Sequence, residues 1–207
     1  MPSSEPNRYE AFSGRLRGGF DRASSLPMLA RLKFAIVLGA ACILGLPGQI
    51  NEYQVKAFFL YNFARYVEWP AETFKAANDP IVICILGQNP FGGALEQAVA
   101  GKVLGTRSFA VRQISDTPPN SSCHILFVNS SERRRFRSMA GKLKGSAVLS
   151  VGEAPGFSAD GGVINFKLEN GKVRFEIDVE AAGREHLRIS SKLLSLAQIA
   201  KKAEDSK

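Results

Sequence analysis

Residues 57–70, AFFLYNFARYVEWP, hold six aromatic side chains in fourteen positions. Val55, Phe58, Phe59, Phe63, Tyr66 and Val67 recur at three- and four-residue spacing, with Asn62 among them, which predicts a helix. Pro70 disfavours helical backbone at the residue before it, so the helix is expected to stop at Trp69. Lys56, Arg65 and Glu68 interrupt the apolar pattern, and a bilayer span needs about 20 predominantly apolar residues. The segment therefore reads as an amphipathic helix that anchors a domain core, with its remaining rings available to a partner.

A different stretch has the marks of an export signal. Residues 34–46, FAIVLGAACILGL, are thirteen positions without a charge, preceded by Arg31 and Lys33 and followed by PGQ. That is the length of a signal-peptide apolar region. The reading divides the chain into an N-terminal extension and signal peptide, 1–48, and one domain, 49–207, with Met28 as an alternative start. An uncleaved anchor would still export the domain. Cys42 belongs to the leader, because Gly39 stands where a lipoprotein motif needs a branched apolar residue. The net charge of +8 falls to +5 beyond residue 50, which is modest and does not point to nucleic acid.

Beyond the aromatic helix, PIVICILG is a buried strand and QNPFGGALEQAVAG a turn and helix that starts at Asn89–Pro90. RSFAVRQI alternates as a strand, and CHILFVNSS is a second buried strand. It leads through Ser130 or Ser131 as cap into the helix ERRRFRSMAGKL. SAVLSVGE follows as a strand. GGVINFKLENGKVRFEID is a hairpin whose Asn170–Gly171 pair suits a type I′ turn. SSKLLSLAQIAKKAED is expected as a helix with Leu193, Leu196, Ala197 and Ala200 on one face. The fold class is α/β: a mainly parallel sheet flanked by helices on both faces, with an antiparallel hairpin towards one edge.

Without Cys42 two cysteines remain, Cys84 and Cys123, and an even count in an exported domain reads as a disulfide. Closing a loop of that length contributes roughly 4 kcal/mol in the chain-entropy account.

Catalytic constellations are scarce. The histidines are His124 and His186. Cys123 and His124 are neighbours on an extended strand and point to opposite faces, which argues against a nucleophile–base pair. Neither a nucleophile elbow nor a zinc-protease motif occurs, and the sequence implies no metal and no cofactor. GQNPFGG reads as a tight strand-to-helix turn, the alternative being a small anion at the helix N-terminus. ERRRFR would fan around a helix as a solvated face. Asn62 either bonds the backbone of a neighbouring loop or belongs to a partner surface.

VKAFFLYNFARYVEWP, VICILGQNPFGGAL, CHILFVNSSE, GFSADGGVINFKLENGKVRFEID and LRISSKLLSLAQI together resemble the YfiR family of bacterial periplasmic proteins, in order over residues 55–199. The resemblance implies a regulator without catalytic activity. Its partner would be the periplasmic part of an inner-membrane diguanylate cyclase or sensor kinase, with an outer-membrane lipoprotein able to sequester it. It also implies a homodimer, and control of cyclic di-GMP and hence of biofilm behaviour. The Cys84 and Cys123 positions match family cysteines, whereas GFSADGGVINF lacks a second pair that some members carry nearby. Phe58, Tyr61, Asn62, Tyr66 and Trp69 are the interface candidates. The alternative is a periplasmic small-solute-binding protein, with its ligand near residues 87–91 and Asn129 at the C-terminal ends of the strands.

Overall fold

The computed structural model describes residues 51–115 and 123–200. The leader, the alternative start at Met28, Cys42 and the last part of the expected C-terminal helix, beyond residue 200, lie outside them.

The aromatic helix is α1 (Glu52–Tyr66). A capping box starts it: Tyr53 N donates to the Asn51 side chain, and Asn51 N donates to Gln54 Oε1 at 3.0 Å. It ends earlier than Pro70 alone would require. Val67–Glu68 (β1) pair antiparallel with Arg188–Ile189, and Ser190 N donates to Tyr66 O, so this tertiary ladder claims the chain first.

The helix is also rotated from the expected face. Ala57, Leu60, Phe63 and Ala64 are fully buried, whereas Phe58 is 60 % exposed. The small Ala57 and Ala64 allow close approach to the sheet, and Lys56 turns inward because carboxylates meet it there.

Next come β2 (Ile81–Leu86), α2 (Ala94–Val99), β3 (Val103–Leu104), β4 (Arg107–Ile114) and β5 (Ile125–Val128). Then follow α3 (Arg133–Leu143), β6 (Leu149–Gly152), β7 (Ile164–Glu169), β8 (Lys172–Ile177) and α4 (Val179–Arg184). The chain closes with β9 (Arg188–Ile189), α5 (Ser191–Leu194) and β10 (Gln198–Ile199). An eight-stranded sheet runs β10-β8-β7-β6-β5-β2-β4-β3. Its pairs are parallel except β7–β8 and β3–β4, so the mainly parallel α/β sheet with a hairpin towards one edge is observed. Asn170 and Gly171 both have positive φ, 51° and 71°, as a type I′ turn needs.

Alternate residues of the central strands serve two cores. Ile81, Ile83 and Ile85 pack with Leu60 and Phe63 of α1. Val82, Cys84 and Leu86 pack with Phe136 and Met139 of α3 and with Phe157. The expected disulfide Cys84–Cys123 is formed on the α3 side, with Cα atoms 5.7 Å apart. Phe157 lies so close to the backbone that a Cβ at Gly152 or Gly162 would sit 2.4 or 2.0 Å from its ring. The cysteine-free segment GFSADGGVINF is fastened by hydrogen bonds: Ser158 Oγ and Asn165 Nδ2 donate to Glu176 Oε1 at 2.9 and 3.3 Å.

Three local expectations are corrected. The helix expected at Asn89–Pro90 begins at Ala94, because Asn89 Oδ1 accepts from Phe91 N at 2.9 Å and closes a turn first. The cap before α3 is Asn129, which accepts from Ser131 N and opens a 3₁₀ turn over Ser130–Glu132. The final helix shrinks to α5. The edge of β8 offers backbone partners to Gln198 and Ile199, and Ala200 N bonds Ile177 O, so the chain becomes β10 and Leu196 is left exposed.

Candidate interaction surface

Helical spacing sets Phe58, Tyr61, Asn62 and Arg65 along the outer side of α1. The exposed Phe58 ring is the apolar centre of this stripe. Asn62 Nδ2 donates to Phe58 O at 2.8 Å, so the amide is satisfied by its own helix and not by a neighbouring loop. Tyr61 is half-buried and meets Phe109 of β4 edge-on at 5.4 Å. The Arg65 guanidinium lies 5.8 Å from the Tyr61 ring and 6.0 Å from the Tyr66 ring, and Lys192 approaches Tyr66 at 5.6 Å. Four of the five interface candidates are thus brought together on or beside one helix face. Trp69 is not. It lies beyond α1, at the N-terminal ends of the strands, against His124.

The opposite end of α1 carries a group that sequence reasoning missed. Lys56 Nζ is paired with Glu153 Oε2 at 2.6 Å and with Glu52, and Lys56 is 5 % exposed. Tyr53 donates its hydroxyl to Glu153 Oε1 at 3.3 Å, and Ser130 N donates to the same oxygen at 3.4 Å. Burial by itself would lower the Lys56 pKa, but the hydrogen bonds to Glu153 and Glu52 outweigh it and raise the pKa above the ordinary lysine value. The only hint in the sequence was a lysine at a position whose neighbours on the helix face are apolar.

At the place of the alternative solute site, near residues 87–91 and Asn129, several groups are engaged by the protein's own side chains. The Glu132 side chain lies against Gly87, where a Cβ would meet it at 2.6 Å. Phe91 packs edge-on against Phe127 and Tyr53, and Asn129 is occupied as a cap.

Around His124 the arrangement is different. His124 Nδ1 accepts from Val82 N at 3.0 Å, Phe74 stacks on the imidazole at 4.5 Å, and the Arg107 guanidinium lies 3.6 Å from the Phe74 ring. Cys123 is oxidised on the α3 side, so the adjacent Cys123 and His124 do not form a dyad. His186 is exposed and adopts a left-handed backbone, φ 57°. Arg133 and Arg137 share Asp160, Arg135 pairs with Glu132, and Phe136 is buried among them, which is the fan expected of ERRRFR.

Among the described residues no group of three or more His, Cys, Asp or Glu is placed to hold a metal ion. No described helix is long and apolar enough to cross a membrane. The model of the YfiR/HmsC-like family matches residues 53–198, well over half of the chain. Comparison with curated proteins gives no match.

Proposed function

The chain belongs to the YfiR/HmsC-like family, and from that premise we propose that it restrains a membrane-bound diguanylate cyclase by direct contact with the enzyme's periplasmic part. The family is one of periplasmic regulators of cyclic di-GMP signalling, and its members are regulators rather than enzymes. Residues 1–48 are the leader in this reading and residues 49–207 the exported regulatory domain. An oxidising compartment suits the Cys84–Cys123 bridge.

The observation that carries the reading is Phe58. A large aromatic ring stays 60 % exposed on the helix that anchors the main core, with Tyr61, Asn62, Arg65 and Tyr66 around it. Burying a ring of this size against a partner is worth about 1.5–3 kcal/mol. Aromatic residues and arginine are the side chains that dominate interface energetics. Repression requires only that the domain bind one state of the cyclase more tightly than the other, by about 1–3 kcal/mol. Pairing of α1 with its copy about a two-fold axis would bury the same stripe, so a homodimer and the cyclase complex would compete for it. A lipoprotein of the outer membrane that captured this face would release the enzyme.

Deleting the gene and complementing with Tyr61→Ala tests the proposal. Cyclic di-GMP should rise in the deletion strain, return with wild type, and stay high with a Tyr61→Ala variant that is folded and exported. Full restoration by that variant would argue against this placement of the contact. No change in the deletion strain would argue against the function itself.

A further inference from the structure

On the other face of the sheet from α1, one sign of charge is concentrated on α3. From Arg133 to Lys144 the chain holds six basic residues and no Asp or Glu. Phe136, Met139 and Leu143 turn inward at three- and four-residue spacing, so the cations share the remaining side. Arg134 lies at the middle of that outer side, with Arg137 and Lys144 on one flank and Arg135 and Lys142 on the other. All five are exposed. Between them lie only Ser138 and Gly141, and a Cβ at Gly141 would meet nothing within 4 Å.

The nearby carboxylates leave much of this charge unmatched. Asp160, 6 % exposed, sits beneath Arg133 and Arg137, and Glu132 pairs with Arg135 at 3.4 Å. Glu185 is buried and accepts from Ser146 N at 3.2 Å. Glu72 shares a cavity of about 400 Å³ with Lys142 and Lys144 but is bonded to neither. Arg134, Lys142 and Lys144 form no ion pair among the described residues. Arg112 of β4 adds a further cation on the same side of the sheet, since Ala110 and Ile114, which share its face of the strand, pack on the α3 core.

The face lacks the apolar centre of a protein contact. Interfaces between proteins are depleted of charge at their core and enriched in aromatic residues. The large exposed apolar residues are Phe58, Val103, Leu168, Val179, Leu196 and Ile199, none of them on α3. Fixed cations without such a centre are complementary to a plane of negative charge, and roughly four to eight Lys or Arg on an amphipathic helix are the mark of anionic lipid binding.

We propose that the outer face of α3 adsorbs to the anionic phospholipid surface of a membrane, with Arg134, Arg135, Arg137, Lys142 and Lys144 against the headgroup phosphates. The helix does not insert, because its large apolar side chains are all turned into the fold. α1 and α3 cover opposite faces of the sheet, so the lipid contact leaves the Phe58 stripe open. Even weak adsorption raises the effective concentration of the domain beside a membrane-bound partner. The inference goes beyond the contact at α1, and its test uses no cyclase.

A photo-crosslinking residue in place of the exposed Ser138 of the full chain reports whether this face, and not residues 1–48, meets lipid. The probe is vesicles of phosphatidylcholine with phosphatidylglycerol, compared with phosphatidylcholine alone. Lipid adducts should form from position 138 with the anionic vesicles only, and not from position 58. A basic residue near an anionic surface is worth about fivefold in binding, so Arg134→Gln should lower the adduct yield about fivefold. Adding Lys142→Gln and Lys144→Gln should lower it about a hundredfold. These are exposed changes and should leave the unfolding midpoint in place, and Arg134→Gln carries the test if the triple variant does not fold. At about 1 M salt, where the Debye length is about 3 Å, the adducts should disappear. Equal yields from positions 58 and 138, equal yields with neutral vesicles, or an undiminished yield in the folded variants would overturn the proposal. Capture of a protein in place of lipid from position 138 in cells would also overturn it, and would assign the face to an acidic protein.

Discussion

The C-terminal ends of β5 and β6 and the N-terminal ends of β2 and β5 both bury polar side chains under α1 and the chain that follows it, but they satisfy them differently. At the C-terminal end Lys56, Glu52, Glu153, Tyr53 and the Ser130 amide form one connected set. At the N-terminal end His124 keeps one bond, to Val82 N, while its Nε2 and the Trp69 Nε1 find no acceptor among the described residues. A doubly-wound sheet ordinarily offers its ligand crevice at the C-terminal ends of the strands. Here an ion cluster fastens that end, where Glu153 also lines a cavity of about 470 Å³ and Asn165 Oδ1 lacks a partner among the described residues, while the unmet N–H donors sit at the other end. A buried network is worth most when complete.

The largest effects should come from the fastened end. Glu153→Leu would leave the buried Lys56 ammonium with Glu52 alone, and urea denaturation should show a loss of about 3–5 kcal/mol. A loss below about 1 kcal/mol would mean that water reaches the cluster and that the two ends are less different than their geometry says.

At the N-terminal end the fastening is covalent, since the disulfide joins mid-β2 to the residues just before β5. Replacing both cysteines by serine should cost roughly 4 kcal/mol, read in the same denaturation series. The Trp69 emission, which sits at this end, should change before α1 unfolds if the bridge holds the region locally.

The next effect separates the ends by pH. His124 has a folded pKa depressed from 6.5 to about 4 by burial and by Arg107. Between those values the unfolded chain binds a proton that the folded chain does not. Stability is therefore full above pH 6.5 and falls as the pH drops towards 4, by up to about 3 kcal/mol. Stability measured against pH should show this slope in the wild type, and His124→Phe should remove it. The Glu176 carboxylate acts in the same sense at lower pH. Burial alone would raise its pKa, but hydrogen bonds from Lys167, Ser158 and Asn165 outweigh it and lower the pKa, so its contribution is lost as the pH falls below the ordinary glutamate range.

The smallest stability change belongs to the exposed stripe. Phe58→Ala should move the unfolding free energy by no more than about 0.5 kcal/mol, as surface changes do. A larger loss would place the ring in the fold and remove it from the interface.

Local signals carried much of the architecture. The β-branched run of β2, the alternation of β4 and the Asn170–Gly171 turn each encode their conformation within a few residues, and each was readable. The aromatic run was also readable as a helix, but its rotation was not. Lys56 turns inward because Glu153, 97 positions away, waits for it, and no window of sequence contains both residues. The last helix failed for the same reason. Its residues can form an amphipathic helix, yet the open edge of β8 outbids that choice with backbone hydrogen bonds. Of the candidate surface, Phe58, Tyr61, Asn62 and Tyr66 could be grouped from helical spacing alone. Trp69 could not be separated from them, because its place follows from where β1 carries the chain after Tyr66.

The regulatory reading rests on which side of the domain meets the membrane enzyme. A photo-crosslinking residue placed at position 58, and separately at the exposed position 134 of α3, would map that contact in living cells. Adducts with an inner-membrane protein carrying a cyclase domain should form from position 58 and not from 134. Equal adducts from both, or none from 58, would contradict the account.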